Sequence, residues 1–404
     1  MGAEFDKERE LDELHVMQTF ARKPVEFVRG EGMRLYDDEG REYLDFLSGI
    51  GVVSIGHCEP SLVAAIQDQA AKLLHVSNYY YVEHRGAVAE RVTSWLQGDS
   101  AEPWRIFFAN SGAEANEGAI KTARRWGKEH AGGNYGIITA NRSFHGRTYA
   151  TLAATAQDAK QDPFAPLPEG FAHVPLNDIA ALERAAVTPV DGTMPVAVML
   201  EPVQGESGVW PCTQEYLEAA RRICDEHNML LIFDEVQTGF FRCGAPFSYQ
   251  LAGIEPDVVT MAKGIGGGFP MGAFAARGEA ADLLGPGDHG STFGGNALAA
   301  AVGRSCVEAL VEEGIGEHAI ACGEHLAARL ACLPHVSEVR GHGLMRGAQL
   351  DAPVATEVVE KGLERGLVLN HIGDSILRFL PPLCITDEQV DEGMDRLEAL
   401  LAKH

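Results

Sequence analysis

The stretch Met229–Met271 opens M-L-L-I-F-D-E-V-Q-T-G over residues 229–239. After a loop and a helix-like segment it closes P-D-V-V-T-M-A-K-G-I-G-G-G-F-P-M over residues 256–271. Leu230 to Phe233 is a short continuous apolar run that ends in Asp234 and Glu235. Such a run fits a strand covered on both faces that delivers its carboxylates to the C-terminal edge of a sheet. The second part repeats the device. Val258 to Ala262 is apolar apart from Thr260 and ends in Lys263, followed by Gly264, Gly266, Gly267 and Gly268. Two buried strands thus each present an ionisable group where they stop.

A lysine leaving an apolar strand into a glycine-rich turn is partly desolvated, which disfavours the ammonium and raises the share of free amine. A free amine is what adds to an aldehyde to form a Schiff base. A carboxylate at the end of the neighbouring strand is what a pyridine nitrogen needs to stay protonated and draw electrons from a reacting carbon. Together Lys263 and Asp234 point to pyridoxal phosphate. A lone Lys-Gly would read as a surface lysine at a strand end, and it is the flanking D-E-V-Q-T-G and G-G-G-F-P that favour the cofactor.

The whole chain has 404 residues, 46% of them hydrophobic, enough for one large domain plus a smaller one. A formal charge of -25 argues against a nucleic-acid-binding face, because phosphate contacts need basic clusters. The eight cysteines form no C-x-x-C pair and have no histidine at zinc spacing, so no metal site is expected and they read as reduced, mostly buried small apolar residues. The acidic N-terminus lacks the apolar core of a secretory signal, and Asp6 stands where myristoylation needs Ser or Thr. No apolar run approaches the length of a membrane span. The expectation is a cytoplasmic enzyme that binds no membrane and no nucleic acid.

Along the chain, residues 11–22 read as a helical or irregular lead-in, and Val25 to Phe46 as an antiparallel meander. Helical segments are expected at about Glu59–Leu74 and Glu83–Leu96. Trp104 to Ala109 reads as a strand that runs into N-S-G-A-E-A-N-E with helical periodicity behind it. A strand feeding Ser111, Gly112 and Ala113 at a helix N-terminus leaves backbone N–H groups where a phosphate can sit. Ser111 with Glu114 three residues on is equally a plain helix cap. Tyr135 to Ala140 is the next strand, followed by N-R-S-F-H-G-R-T, which puts Phe144 and His145 at the same sheet edge. Phe144 is placed to stack on a planar cofactor or simply to pack, and Arg147 to grip a carboxylate or lie on the surface. Val196 to Leu200 forms a further strand, with a helix at Glu215–His227 behind it. Alternating strands and helices indicate a mostly parallel sheet covered on both sides, whose ligands bind beyond the carboxyl ends of the strands. After Lys263 come a strand at Gly272–Ala276 and a long helix opened by Asn296. From about Ile315 helices alternate with short strands, and Arg378 sits inside the apolar I-L-R-F-L. A buried arginine there must be paired or functional.

In this order, S-G-A-E-A-N-E, S-F-H-G-R-T, E-P-V-Q-G-E-S-G-V, F-D-E-V-Q-T-G, A-K-G-I-G-G-G-F-P, H-G-S-T-F-G-G-N and R-F-L-P-P-L make the sequence resemble the class III (subgroup II) pyridoxal-phosphate-dependent aminotransferases over essentially its whole length. Within that group it is most similar to the acetylornithine-type enzymes. The resemblance implies an α/β fold of type I, the aspartate aminotransferase type, with a mostly parallel seven-stranded sheet in the large domain. It divides the chain into an N-terminal segment, 1–75, contributing to a small α+β domain, a large cofactor domain, 76–314, and a C-terminal small domain, 315–404.

The resemblance also implies roles. Lys263 joins the cofactor and moves the substrate proton, Asp234 holds the pyridine nitrogen protonated, and Gln237 contacts the ring oxygen. Ser111, Gly112 and Ala113 mark the phosphate site, Phe144 covers one ring face, and Val236 packs on the other. Thr292, with Ser291 beside it, reaches the phosphate of a partner subunit, which implies a homodimer with shared sites. Arg147 holds the distal carboxylate, while Arg378 pairs with Glu206 and is released when 2-oxoglutarate enters. The implied reaction passes the δ-amine of N2-acetylornithine to 2-oxoglutarate in a ping-pong sequence. Transamination of succinylornithine, N-succinyl-diaminopimelate or 4-aminobutyrate, or an aminomutase of the glutamate-1-semialdehyde type, is the alternative. Ile50, where ornithine aminotransferases have tyrosine, favours an acylated or uncharged donor. Glu59, Ser207, Phe241 and Cys243 depart from the family pattern.

Overall fold

Apolar strand runs assemble into a seven-stranded sheet in the order Trp104–Ala109, Gly272–Arg277, Val258–Met261, Leu230–Asp234, Pro195–Leu200, Gly136–Ala140, Phe171–Val174. The computed structural model describes residues 3–98, 102–311 and 314–404. The pairings around Leu230–Asp234 and Gly136–Ala140 are parallel, and only Gly272–Arg277 runs against its two neighbours. Ile232 pairs with Val258 and Asp234 with Thr260, which sets the C-terminal ends of these two strands side by side.

Alternation of side chains explains why the central strands are apolar throughout. Leu231, Phe233, Val198 and Leu200 pack into the core shared with the helix Gln214–Glu226. Leu230, Ile232, Ala197 and Met199 face Ala119, Ile120 and Ala123 of the helix Gly112–His130 on the other side. Thr213 caps the first helix by accepting from Tyr216 N at 3.2 Å. Its buried residues, Tyr216, Leu217, Ala219, Ala220, Ile223 and Cys224, follow the 3.6-residue period.

The meander Phe27–Glu31, Arg34–Asp37 and Glu42–Asp45 gains a fourth strand from far along the chain, because Leu367–Val368 pairs in parallel with Leu44 and Asp45. A second four-stranded sheet, Val336–His342, Met345–Leu350, Ile376–Phe379 and Asn370–Ile372, places Arg378 on an inner strand. The N-terminal helix occupies Ala3–His15, earlier than the lead-in expected at 11–22. Glu59 is a helix cap: its carboxylate accepts from Leu62 N at 2.8 Å, and the helix runs Pro60–Ala70. All eight cysteines are free, five of them buried and Cys58, Cys332 and Cys384 exposed.

The helix Gly112–His130 sits so close to the sheet that its glycines are structural. A Cβ added at Gly127 would lie 1.9 Å from the Asn134 carbonyl oxygen, a backbone atom that cannot swing away. Alanine gains about 1 kcal/mol of helix propensity over glycine, whereas forcing extra volume into a packed site costs about 1–3 kcal/mol or more. Gly127→Ala is therefore expected to lower the denaturant midpoint with an unchanged slope. A midpoint equal to or above wild type would show that the helix can move off the sheet freely.

Candidate active site

Five of the strands that end at the carboxyl edge of the large sheet, Trp104–Ala109, Gly136–Ala140, Pro195–Leu200, Leu230–Asp234 and Val258–Met261, lead into one cleft of about 400 Å³. The cleft is lined by Ser111, Gly112, Ala113, Phe144 and Arg147, and by Glu206, Asp234, Val236, Gln237 and Lys263. Ten of the sequence-predicted residues thus meet in one place.

Asp234 ends its strand almost fully buried, at 4% exposure. Its Oδ2 accepts from Asn116 Nδ2 at 2.7 Å and from His145 Nδ1 at 2.8 Å, and its Oδ1 from Val236 N at 3.0 Å. A carboxylate partner makes Nδ1 the protonated ring nitrogen of His145. Burial disfavours the imidazolium, but the bond to Asp234 outweighs it and raises the His145 pKa. Asn116 Nδ2 also donates to His145 O at 2.7 Å, tying the helix to the loop. The result is a carboxylate held in one orientation by three donors, a fixed acceptor for a protonated heterocycle.

Lys263 follows the adjacent strand with φ +48, in a short 3-10 turn Lys263–Gly266 that Gly267 and Gly268 continue at φ +54 and +118. Burial lowers its pKa, and Glu206 draws it part of the way back. The amine is thereby biased toward the free base that carbonyl chemistry needs.

At the opposite corner, Ser111 caps the helix Gly112–His130 by accepting from Glu114 N at 3.2 Å. Glu114 Oε2 reaches past it to Asn110 N at 2.6 Å. The helix cap is thus present, and the amides of Gly112 and Ala113, without intrahelical partners, remain available to an anion. A Cβ at Gly112 would stand 2.7 Å from Val236 Cγ1, so glycine lets the helix end approach the Asp234 loop.

Arg378 is 1% exposed, and its Nη1 meets Glu206 Oε1 at 2.5 Å while its Nε donates to Asn370 Oδ1 at 2.9 Å. Gln237 bridges the pair, with Nε2 3.3 Å from Glu206 Oε1 and Oε1 3.4 Å from Arg378 Nη1. Burial pushes the Glu206 carboxyl up, but Arg378 more than offsets this and lowers it. Arg147 is exposed at the mouth, 5.4 Å from the Phe144 ring centroid.

Three expected residues stand apart. Arg378 lies behind Glu206 rather than on the cleft wall. Ser291 accepts from Asn110 Nδ2 at 3.1 Å, and Thr292 is exposed and does not line the cleft. Ile50 also lies outside the wall, 37% exposed, whereas Val52 lines it. Phe241 turns away to pack edge-on against Trp95 at 5.4 Å, and Cys243 is buried with Val203, Val209, Met345 and Leu380. These two departures therefore leave the cleft unaltered.

Two contributors were not singled out from sequence. Asn116 lies one turn beyond Gly112 in the motif already quoted. Glu201 follows the apolar Val196–Leu200 run just as Asp234 ends its own, which was the available signal. Its Oε1 accepts from Phe144 N at 2.9 Å and its Oε2 from Gly205 N at 3.3 Å. Burial pushes its carboxyl up to about 7 against the pull of His145.

The donor set fits a phosphorylated pyridine aldehyde: an amine for the aldehyde, a buried carboxylate for the ring nitrogen, a helix N-terminus for the phosphate, and Phe144 and Val236 for the ring. Among the described residues no cluster of His, Cys, Asp or Glu is arranged to hold a metal ion, and no helix is long and apolar enough to cross a membrane.

The aminotransferase class-III family model matches residues 17–401. The chain is 48% identical over 397 residues to an acetylornithine aminotransferase of Gloeobacter violaceus, covering 97% of this chain and 96% of that one. It is 46% identical over 394 residues to an acetylornithine aminotransferase of Caldanaerobacter subterraneus, covering 96% and 98%. The crystal structure of ornithine aminotransferase from Toxoplasma gondii superposes with a TM-score of 0.92 at 32% identity, covering 99% of this chain and 95% of that one. With the match running almost end to end and the strand ends furnished as described, the chain belongs to the class III aminotransferases.

Proposed function

We propose that the chain transfers the δ-amino group of N2-acetyl-L-ornithine to 2-oxoglutarate, giving N-acetyl-L-glutamate 5-semialdehyde and L-glutamate, with pyridoxal phosphate as cofactor in arginine biosynthesis. The observation that carries this reading is the pairing of buried Arg378 with half-buried Glu206 beside Lys263. The reacting carbon of a δ-amine donor bears no carboxylate, whereas that of 2-oxoglutarate does. An arginine serving the second substrate would be left unpaired by the first, and an unpaired buried cation is costly. Glu206 supplies the removable counter-charge. Similarity to acetylornithine aminotransferases over nearly the full length supports the donor.

Bound pyridoxal phosphate supplies the carbonyl that condenses with amines and the electron-withdrawing ring that stabilises charge at the reacting carbon. Lys263 Nζ would hold the cofactor through that carbonyl and would carry a proton between the substrate carbon and the cofactor. Asp234, fixed by His145 and Asn116, keeps the ring nitrogen protonated, and Gln237 holds the ring oxygen. Ser111, Gly112 and Ala113 bind the phosphate, while Phe144 and Val236 cover the two ring faces. Arg147 anchors the distal carboxylate in both half-reactions, and Arg378 takes the α-carboxylate of 2-oxoglutarate once Glu206 releases it.

The chain acts as a homodimer in this reading. Tyr79, Tyr80, Tyr81 and Phe293 are exposed, and Asn78 Nδ2 ties this segment to Ser291 O at 2.9 Å and Gly294 O at 3.1 Å. So much exposed aromatic surface supports an interface between copies, and Thr292 on the same loop would serve the phosphate of the partner's site. The parallel pair of Leu367–Val368 with Leu44 and Asp45 supports one small domain built from 1–75 and 315–404 around the large domain 76–314. Eight free cysteines support a cytoplasmic setting.

Lys263→Ala is expected to abolish turnover, with Lys263→Arg failing to restore it, since a guanidinium cannot replace the free amine. Glu206→Ala is expected to slow the half-reaction with N2-acetylornithine roughly ten- to a hundredfold, the worth of a charged hydrogen bond, and to spare the half-reaction with 2-oxoglutarate. Stopped-flow absorbance of each half-reaction checks this, and equal losses in both would remove Glu206 from the proposed role.

A further inference from the structure

Lys160 lies on the short helix Asp158–Gln161, outside every motif that carries the family resemblance. Its position is nevertheless tightly set. Gln157 accepts from Lys160 Nζ and, through its own Nε2, donates to Ser143 O at 2.9 Å. Gln161 Nε2 donates to Leu152 O at 3.0 Å and Thr155 O at 2.7 Å. The Gln157 bond ties the segment to the loop that carries Phe144, and the Gln161 bonds tie it to the end of the helix Tyr149–Ala154. The Lys160 ammonium sits 5.2 Å from the Phe144 ring centroid, and the Arg147 guanidinium is 5.4 Å from the same centroid. Two cations therefore flank one aromatic ring of the cleft wall, which Arg147 lines and Lys160 does not. Burial lowers the Lys160 pKa, Arg147 adds to this, and Glu206 and Glu201 oppose it. The lysine thus shares an electrostatic environment with the groups assigned to the substrate's carboxylates.

We propose that Lys160 is a specificity-determining residue, forming with Arg147 a two-cation site that accepts a carboxylate beside a neutral acylated nitrogen and rejects a carboxylate beside a free α-ammonium. The inference rests on the donor reading above. N2-Acetylornithine carries at its α-carbon a carboxylate for Arg147 and an amide carbonyl oxygen that can accept from Lys160 Nζ. Free ornithine carries an ammonium in place of that amide. A second cation near it is repulsive, and specificity arises from that repulsion as much as from the new attraction. A lysine that merely packs on Phe144 has no such preference, because ring packing is blind to the charge of the donor's α-nitrogen.

The test uses the cofactor-loaded enzyme and its Lys160→Met and Lys160→Arg variants, measuring kcat/KM for N2-acetylornithine, ornithine and 4-aminobutyrate with saturating 2-oxoglutarate. Lys160→Met is expected to lower the acetylornithine-to-ornithine ratio about tenfold, mainly through KM. Lys160→Arg is expected to preserve the ratio, and added salt to shrink the difference between the two variants. An unchanged ratio, or an equal loss for both substrates, overturns the proposal and leaves Lys160 a packing residue. Failure of the donor reading looks different: the wild type would then not prefer N2-acetylornithine. In that event the 4-aminobutyrate-to-ornithine ratio, which compares a carboxylate without and with an α-ammonium, still decides the role of Lys160.

Discussion

The site depends on a carboxylate and an amine that the fold takes out of water at neighbouring strand ends. Asp234 is buried and accepts from three donors. Lys263 is shifted by burial toward the neutral amine. The parallel register of Ile232 with Val258 and Asp234 with Thr260 keeps the groups adjacent, and the helices on both sheet faces keep the strands dry.

Around this pair the cleft is a set of charges with replaceable partners. Arg378 sits too deep to stand alone, and Glu206 with Gln237 and Asn370 satisfies it. Glu201 ties the Phe144 amide to the Gly205 amide, joining the loop over the cleft to the segment that carries Glu206. Asn116 ties the same loop to Asp234 and to the helix Gly112–His130. Loops from three strand ends are thereby hydrogen-bonded to one another.

Much of this was legible in the sequence because buried parallel strands announce themselves as short apolar runs and their terminal residues follow directly. Asp234, Lys263 and the Ser111 helix start were all found that way. Asn116 was hidden because a polar residue on the inner face of a helix looks like an interruption of the pattern until its partner, distant in sequence, is known. Glu201 carried the same signal as Asp234 but lacked a neighbouring strand ending in a complementary group. The parallel pairing of Leu367–Val368 with Leu44 and Asp45 joins residues more than three hundred positions apart, and no local pattern encodes it. Phe241 and Cys243 depart from the family pattern without lining the cleft. A left-handed backbone at Phe240 and Phe241, φ +56 and +65, turns the second ring onto Trp95 instead.

The central claim is that one cleft accepts a δ-amine donor and an α-keto acid in alternation. An absorbance titration of the cofactor-loaded protein tests it most directly, with N2-acetylornithine added in the absence of an acceptor and 2-oxoglutarate added afterwards. The account predicts that the near-ultraviolet to visible band of the protein-bound cofactor is lost in the first step and restored in the second. A band that N2-acetylornithine leaves unchanged would contradict the assigned donor, and a protein that forms no band with pyridoxal phosphate would contradict the reading of Asp234 and Lys263 from which the rest is built.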